Sequence, residues 1–127
     1  MAEVSVAAKD LLGGWHLESW SFVYDDGRPA EYPLGADAKG TILYTADGHV
    51  SATLMRANLA ESFAYAGRYE VRDGAVFHSI EVATNPSLVG VTSTRHIELA
   101  GERLTLSGPD FSAGTGRTQR IAWRRSG

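Results

Sequence analysis

Thr41-Ile42-Leu43-Tyr44-Thr45-Ala46-Asp47-Gly48-His49-Val50-Ser51-Ala52-Thr53-Leu54-Met55-Arg56 reads as two extended runs around a tight reversal. The runs Thr41–Thr45 and His49–Arg56 carry β-branched and aromatic residues, which suit a pleated, half-buried surface. Asp47-Gly48 supplies the reversal, because glycine accepts the positive φ that short hairpin turns require. The same punctuation recurs at Asp26-Gly27, Asp73-Gly74 and Ala100-Gly101. Further strands are expected at Trp15–Tyr24, Tyr65–Arg72, Ala75–Ala83, Val91–Leu99, Arg103–Ser107 and Arg117–Arg125, with a short extended piece near Glu31–Leu34. A meander of about eight strands leaves two exposed edges unless it closes, so the expected fold is an all-β, antiparallel up-and-down barrel.

Helix is scarce. Ser5–Leu12 places apolar residues at Val4, Ala7, Ala8, Leu11 and Leu12, a spacing that predicts one short amphipathic helix capped by Ser5 and ended by Gly13. Asn58–Phe63 is expected to form one or two helical turns, and Asn85-Pro86-Ser87-Leu88 a single turn. Such insertions serve either as plain connections or as lids over a barrel mouth, where loops carry specificity. Repeats, low-complexity tracts and linkers are missing, and residues 1–127 are expected to form one domain.

The bulk numbers narrow the function classes. A chain of 127 residues is long enough to bury a core without staples. A net charge of -3 and a pI near 5.7 argue against nucleic-acid and anionic-membrane partners, which call for basic patches. The absence of cysteine excludes disulfides, thiolate nucleophiles and Cys-ligated metals, and is compatible with a cytoplasmic setting. No stretch approaches the ~18 apolar residues of a membrane-spanning helix.

Ionisable residues on apolar strand faces point to a pocket. Val76, His78, Ile80 and Val82 alternate on one face of their strand, Arg95 shares a face with Val91, Ile97 and Leu99, and Tyr65 shares one with Tyr69 and Val71. A buried arginine needs a counter-charge, water or a ligand. Either Arg95 is held in a core network, by Glu81 or by backbone carbonyls with Tyr69 as packing, or these residues meet a ligand. An eight-stranded barrel has room for either outcome.

Leu11-Leu12-Gly13-Gly14-Trp15-His16-Leu17 resembles the Gly-x-Trp segment of the lipocalins and related barrels. Over nearly the whole chain, Glu31-Tyr32-Pro33-Leu34-Gly35, Gly40 to His49, Tyr65-Ala66-Gly67-Arg68-Tyr69-Glu70-Val71, His78, Asn85-Pro86, Gly90, Arg95-His96 and Arg103-Leu104-Thr105-Leu106 resemble the bacterial and fungal lipocalin-like domain family. The resemblance implies a lipocalin-like barrel with a short N-terminal helix closing its base. It also implies Trp15 packed inside under an arginine of the last strand (Arg120, Arg124 or Arg125), an internal ligand cavity at the opposite end, and a link to secondary metabolism. It brings no catalytic residues.

Chemical motifs are sparse. His49, His78 and His96 lie on different strands and form no metal-ligand spacing, and His78 is the candidate axial ligand if the barrel held haem. Neither a metal nor another cofactor is expected. No Gly-x-Ser-x-Gly elbow occurs, and Gly114-Thr115-Gly116-Arg117 reads as a hairpin loop rather than a phosphate cradle. The expected function is binding of a small, largely hydrophobic molecule by Arg95, Tyr65, Tyr69, His78 and Tyr44, with Arg95 or His78 anchoring an acidic or carbonyl group. The alternative is a cofactor-independent isomerase, cyclase or dehydratase acting on a polyketide- or terpenoid-like metabolite, with His78 moving a proton and Tyr69 orienting a carbonyl. In that scheme Glu81 or Arg95 would tune His78. A third reading is a solidly packed barrel whose function lies in self-association, for example as a homodimer.

Overall fold

A computed structural model of the chain describes residues 6–58, 60–109 and 117–126. Its strands are β1 (Gly13–Tyr24), β2 (Lys39–Tyr44), β3 (His49–Met55), β4 (Ser62–Arg72), β5 (Ala75–Ala83), β6 (Thr92–Ala100), β7 (Arg103–Pro109) and β8 (Arg117–Arg125). Each pairs antiparallel with its chain neighbour, and β1 pairs with β8, so the eight strands form a closed barrel. Closure removes both sheet edges.

The turns follow the sequence punctuation. At Asp73-Gly74 both residues have positive φ, 55° and 76°, the combination that a two-residue reversal between twisted strands demands. Phe22 and Glu31 form an isolated antiparallel bridge, so the extended piece near Glu31–Leu34 reduces to one bridge. A 3-10 turn at Pro86–Leu88, with Asn85 Oδ1 accepting from the Ser87 N–H, fulfils the expected single turn.

The N-terminal helix is shorter than expected. The described part is one 3-10 turn, Ala8–Asp10, held by Asp10 N–H to Ala7 C=O and Leu11 N–H to Ala8 C=O. Strand β1 already begins at Gly13, which leaves no length for a second turn. Ser5 lies outside the described residues, as does most of Gly114-Thr115-Gly116-Arg117. The helical turns expected over Asn58–Phe63 are also corrected. Among the described residues only a turn at Ala57-Asn58 is present, and β4 starts at Ser62 because Leu54 and Met55 pair with Phe63 and Ser62.

Two bulges set which faces point inward. On β1 the register passes from Leu17↔Trp123 to Ser19↔Ala122, so Glu18 is the extra residue. Its carboxylate sits between the guanidinium groups of Arg103 and Arg124, at 2.9 and 3.0 Å, where the barrel closes. On β5 the register passes from Ile80↔Gly67 to Val82↔Ala66, so Glu81 is extra. Gly67 is required there, since a Cβ would lie 1.9 Å from the Ser79 carbonyl oxygen.

The β5 bulge overturns two facing expectations. Val76, His78 and Ile80 are buried as the alternation predicts, but past the bulge Val82 turns outward and is 61% exposed. Glu81 also stands outside, facing Arg68 at 3.9 Å, so it neither holds Arg95 nor tunes His78.

Candidate functional site

The barrel has a floor and a chamber. At the floor, Trp15 is fully buried and its indole N–H donates to the Leu11 carbonyl at 2.9 Å. Arg125 lies over the Trp15 ring with its guanidinium carbon 4.1 Å from the centroid. The same guanidinium donates to the carbonyls of Leu12 at 3.0 Å and Asp10 at 2.9 Å. Of the three candidate arginines, therefore, Arg125 covers the ring, while Arg124 pairs with Glu18.

The chamber is a cavity of about 300 Å³ that Trp15 does not touch. β1 contributes Trp20 and Phe22, and β2 and β3 contribute Ile42 and Leu54. From β4 and β5 come Phe63, Tyr65, His78 and Ile80, while Ser93, Arg95 and Leu106 come from β6 and β7. Gln119, Ile121 and Trp123 from β8 complete the wall, and Asn85, Leu88 and Val91 stand at the β5–β6 connection. Asn85 and Val91 are also solvent-exposed, so the chamber reaches the surface there. The volume is at the low end for a small-molecule pocket, and the lining has the usual form of an apolar wall with a few polar groups.

Aromatic rings form one side of this chamber. Trp20 stacks on Phe63 with centroids 5.8 Å apart, and Phe63 meets Tyr65 at 5.8 Å. Tyr65 and Tyr44 then flank His78, each with centroids 5.6 Å from the imidazole. Such rings supply large apolar area at low entropic cost, with defined mutual geometry.

His78 is 1% exposed and is hydrogen-bonded at both nitrogens. Its Nε2 is 2.7 Å from the Tyr44 hydroxyl and its Nδ1 is 2.8 Å from the Tyr65 hydroxyl. Burial, and secondarily the charge of Arg95, lower its pKa to about 3, so the imidazole is neutral at physiological pH. Burial pushes the Tyr65 hydroxyl up to about 12 and raises Tyr44 well above the usual phenol value. All three groups are neutral. With both nitrogens engaged, His78 has no lone pair left for an iron or another metal. Among the described residues no group of three or more metal-ligating side chains stands together.

The expected site residues therefore separate. Tyr65, His78 and Arg95 line the chamber. Tyr44 is buried and engages His78, but it does not itself line the cavity. Tyr69 pairs with His78 in strand register, yet its hydroxyl donates to the Thr45 carbonyl at 2.9 Å and the residue lies off the cavity wall. Its ring packs edge-on against Tyr44 at 4.7 Å, which makes it a support for the buried pair. The remaining histidines stay apart, with His49 and His96 on the outer surface.

Sequence reasoning missed Trp20, Gln119 and Trp123 as wall residues. The β1 bulge at Glu18 shifts the alternation, which brings Trp20 and Phe22 to the chamber side opposite Ile121 and Gln119. Trp123 is buried on the chamber wall, and its indole N–H has no hydrogen-bond partner among the described residues.

A closed eight-stranded meander with a tryptophan–arginine floor and a lined interior defines the class of cavity-bearing up-and-down barrels. The chain belongs to the lipocalin-like domain family, whose model matches it over residues 12–61 and 57–126. A lipocalin-like protein from Bacteroides uniformis is 20% identical in sequence and superposes with a TM-score of 0.58, covering 92% of this chain and 99% of that one. An uncharacterized protein from Bacteroides eggerthii is 15% identical with a TM-score of 0.55, covering 91% of this chain and 99% of that one. Both likenesses show the fold. No curated protein matches the chain at a significant level. The fold is of a kind suited to binding small molecules in general, and among the described residues no helix is long and apolar enough to cross a membrane.

Proposed function

We propose that this barrel binds a small, largely hydrophobic molecule inside the chamber. The observation that carries this reading is the chamber itself, about 300 Å³ walled by aliphatic and aromatic side chains with Arg95 among them. A barrel built only for stability would fill that space with side chains, since interiors close-pack and voids cost contact energy. Binding is favoured over acid–base catalysis by His78 and Tyr69. The acceptor nitrogen a general base needs is already engaged, and Tyr69 is turned to the Thr45 carbonyl. A cytoplasmic setting and a homodimer are part of this proposal, and a role in secondary metabolism joins it on the family resemblance alone.

The test is titration with N-phenyl-1-naphthylamine, an uncharged lipophilic fluorophore. Saturable, blue-shifted emission is expected, and it should disappear in Ile121→Trp, which fills the wall. No emission change, together with an empty cavity by native mass spectrometry, would favour the solid-barrel reading.

A further inference from the structure

The hydrogens around His78 can be placed by counting donors and acceptors. A neutral imidazole has one N–H donor and one acceptor nitrogen, and each nitrogen here meets a tyrosine hydroxyl. Tyr44 is 2% exposed and has His78 as the one hydrogen-bond partner of its hydroxyl among the described residues. If Nε2 carried the hydrogen, the Tyr44 hydroxyl hydrogen would be buried with no acceptor, a costly arrangement. Tyr44 therefore donates to Nε2, and the imidazole hydrogen sits on Nδ1. That N–H donates to the Tyr65 oxygen, so the Tyr65 hydroxyl hydrogen is directed elsewhere. Unlike Tyr44, Tyr65 lines the chamber.

Other wall groups have the same polarity. An indole N–H only donates, so the Gln119 atom 3.2 Å from Trp20 Nε1 is the amide oxygen, which leaves the Gln119 amide nitrogen to donate. Trp123, 1% exposed and on the same wall, holds a second indole N–H, which is closed off from open space and has no partner among the described residues. We propose that the chamber selects an apolar molecule presenting a hydrogen-bond-accepting oxygen, a carbonyl or a carboxylate, to the Tyr65 hydroxyl. This inference rests on the chamber being a ligand site, and it does not depend on the state of Arg95.

The experiment displaces N-phenyl-1-naphthylamine with three compounds of one skeleton: 2-ethylnaphthalene, 2-acetylnaphthalene and 2-naphthoate. The ketone should compete about tenfold better than the hydrocarbon, the scale of one well-placed hydrogen bond in a dry site. In Tyr65→Phe the ketone-to-hydrocarbon ratio should fall close to one. Equal competition by all three compounds in the wild-type protein overturns the proposal while leaving chamber binding intact. An advantage for the naphthoate alone that survives Tyr65→Phe also overturns it, assigning selection to charge. If the fluorophore does not bind at all, the binding reading fails and the proposal fails with it. A second measurement needs no variant: long-range ¹H–¹⁵N correlation spectra of the imidazoles should show His78 protonated at Nδ1 and bare at Nε2. The opposite tautomer overturns the proton count.

Discussion

The floor and the chamber are built from the same parts and finished differently. Each has a fully buried tryptophan, an arginine nearby and hydrogen bonds that cross between elements. At the floor, Trp15 gives its N–H to Leu11, and Arg125 gives two N–H groups to the chain that crosses beneath it. In the chamber, Trp123 keeps an N–H with no partner among the described residues, and the Tyr44–His78–Tyr65 series ends on Tyr65, a residue of the cavity wall. Strand register places the two tryptophans close together, since Trp15 opposes Arg125 and Leu17 opposes Trp123. The difference lies in what each end leaves unsatisfied. A closed end meets its own polar groups, whereas a binding end holds a donor in reserve, at some expense in stability.

The largest effect should come from breaking the floor. Trp15→Ala removes a fully buried indole and the cover it gives Leu11, which should destabilise the barrel by about 3–5 kcal/mol in urea unfolding. A change below about 1 kcal/mol would mean that the floor does not close the core.

Acid should act next, and at the chamber. His78 titrates near 6.5 when unfolded but is lowered to about 3 in the fold, chiefly by burial. Between those values the unfolded chain binds more protons, so stability rises with pH across that window. The contribution is complete above about pH 7 and is lost as pH falls, amounting to about 2 kcal/mol between pH 7 and pH 5. Urea midpoints at the two pH values check this, and His78→Gln should show a shallower dependence. Equal slopes would place the buried imidazole's titration elsewhere.

Arg125→Met sharpens the comparison on a smaller scale. It removes the guanidinium from the Trp15 face and from two carbonyls, a loss of about 1–2 kcal/mol at this partly exposed position. Fluorophore affinity measured at the same time should not change, because Arg125 does not line the chamber. A parallel loss of affinity would show that floor and chamber are coupled.

Much of the fold was legible because its signals are local. Asp-Gly pairs fix hairpins, and Ala75–Ala83 starts directly after one of them at Asp73-Gly74. The floor was legible through Gly13-Gly14-Trp15 and a basic last strand, although only the register could choose Arg125 over Arg120 and Arg124. Parity beyond a bulge was not legible. One extra residue at Glu81 turned Val82 outward, and one at Glu18 brought Trp20 and Phe22 to the chamber, with nothing in the local composition marking either position. His78 and Tyr65 were identified from strand alternation. The joining of His78 to Tyr44, 34 positions away, is a product of closure that no spacing encodes.

The finest test uses one substitution at both tryptophans. Trp15→Phe and Trp123→Phe remove the same volume from two fully buried sites, so their cavity costs should be similar. The hydrogen-bond consequences are opposite. Trp15→Phe takes away a donor and leaves the Leu11 carbonyl unsatisfied, whereas Trp123→Phe removes a buried donor that had no acceptor. An unsatisfied buried group costs about 1–3 kcal/mol, so Trp123→Phe should have the smallest effect, within about 1 kcal/mol of wild type, and Trp15→Phe should exceed it by about 2 kcal/mol. Matched urea titrations of the ligand-free variants measure the difference directly. If the two losses are equal, the Trp123 N–H already has a partner in solution.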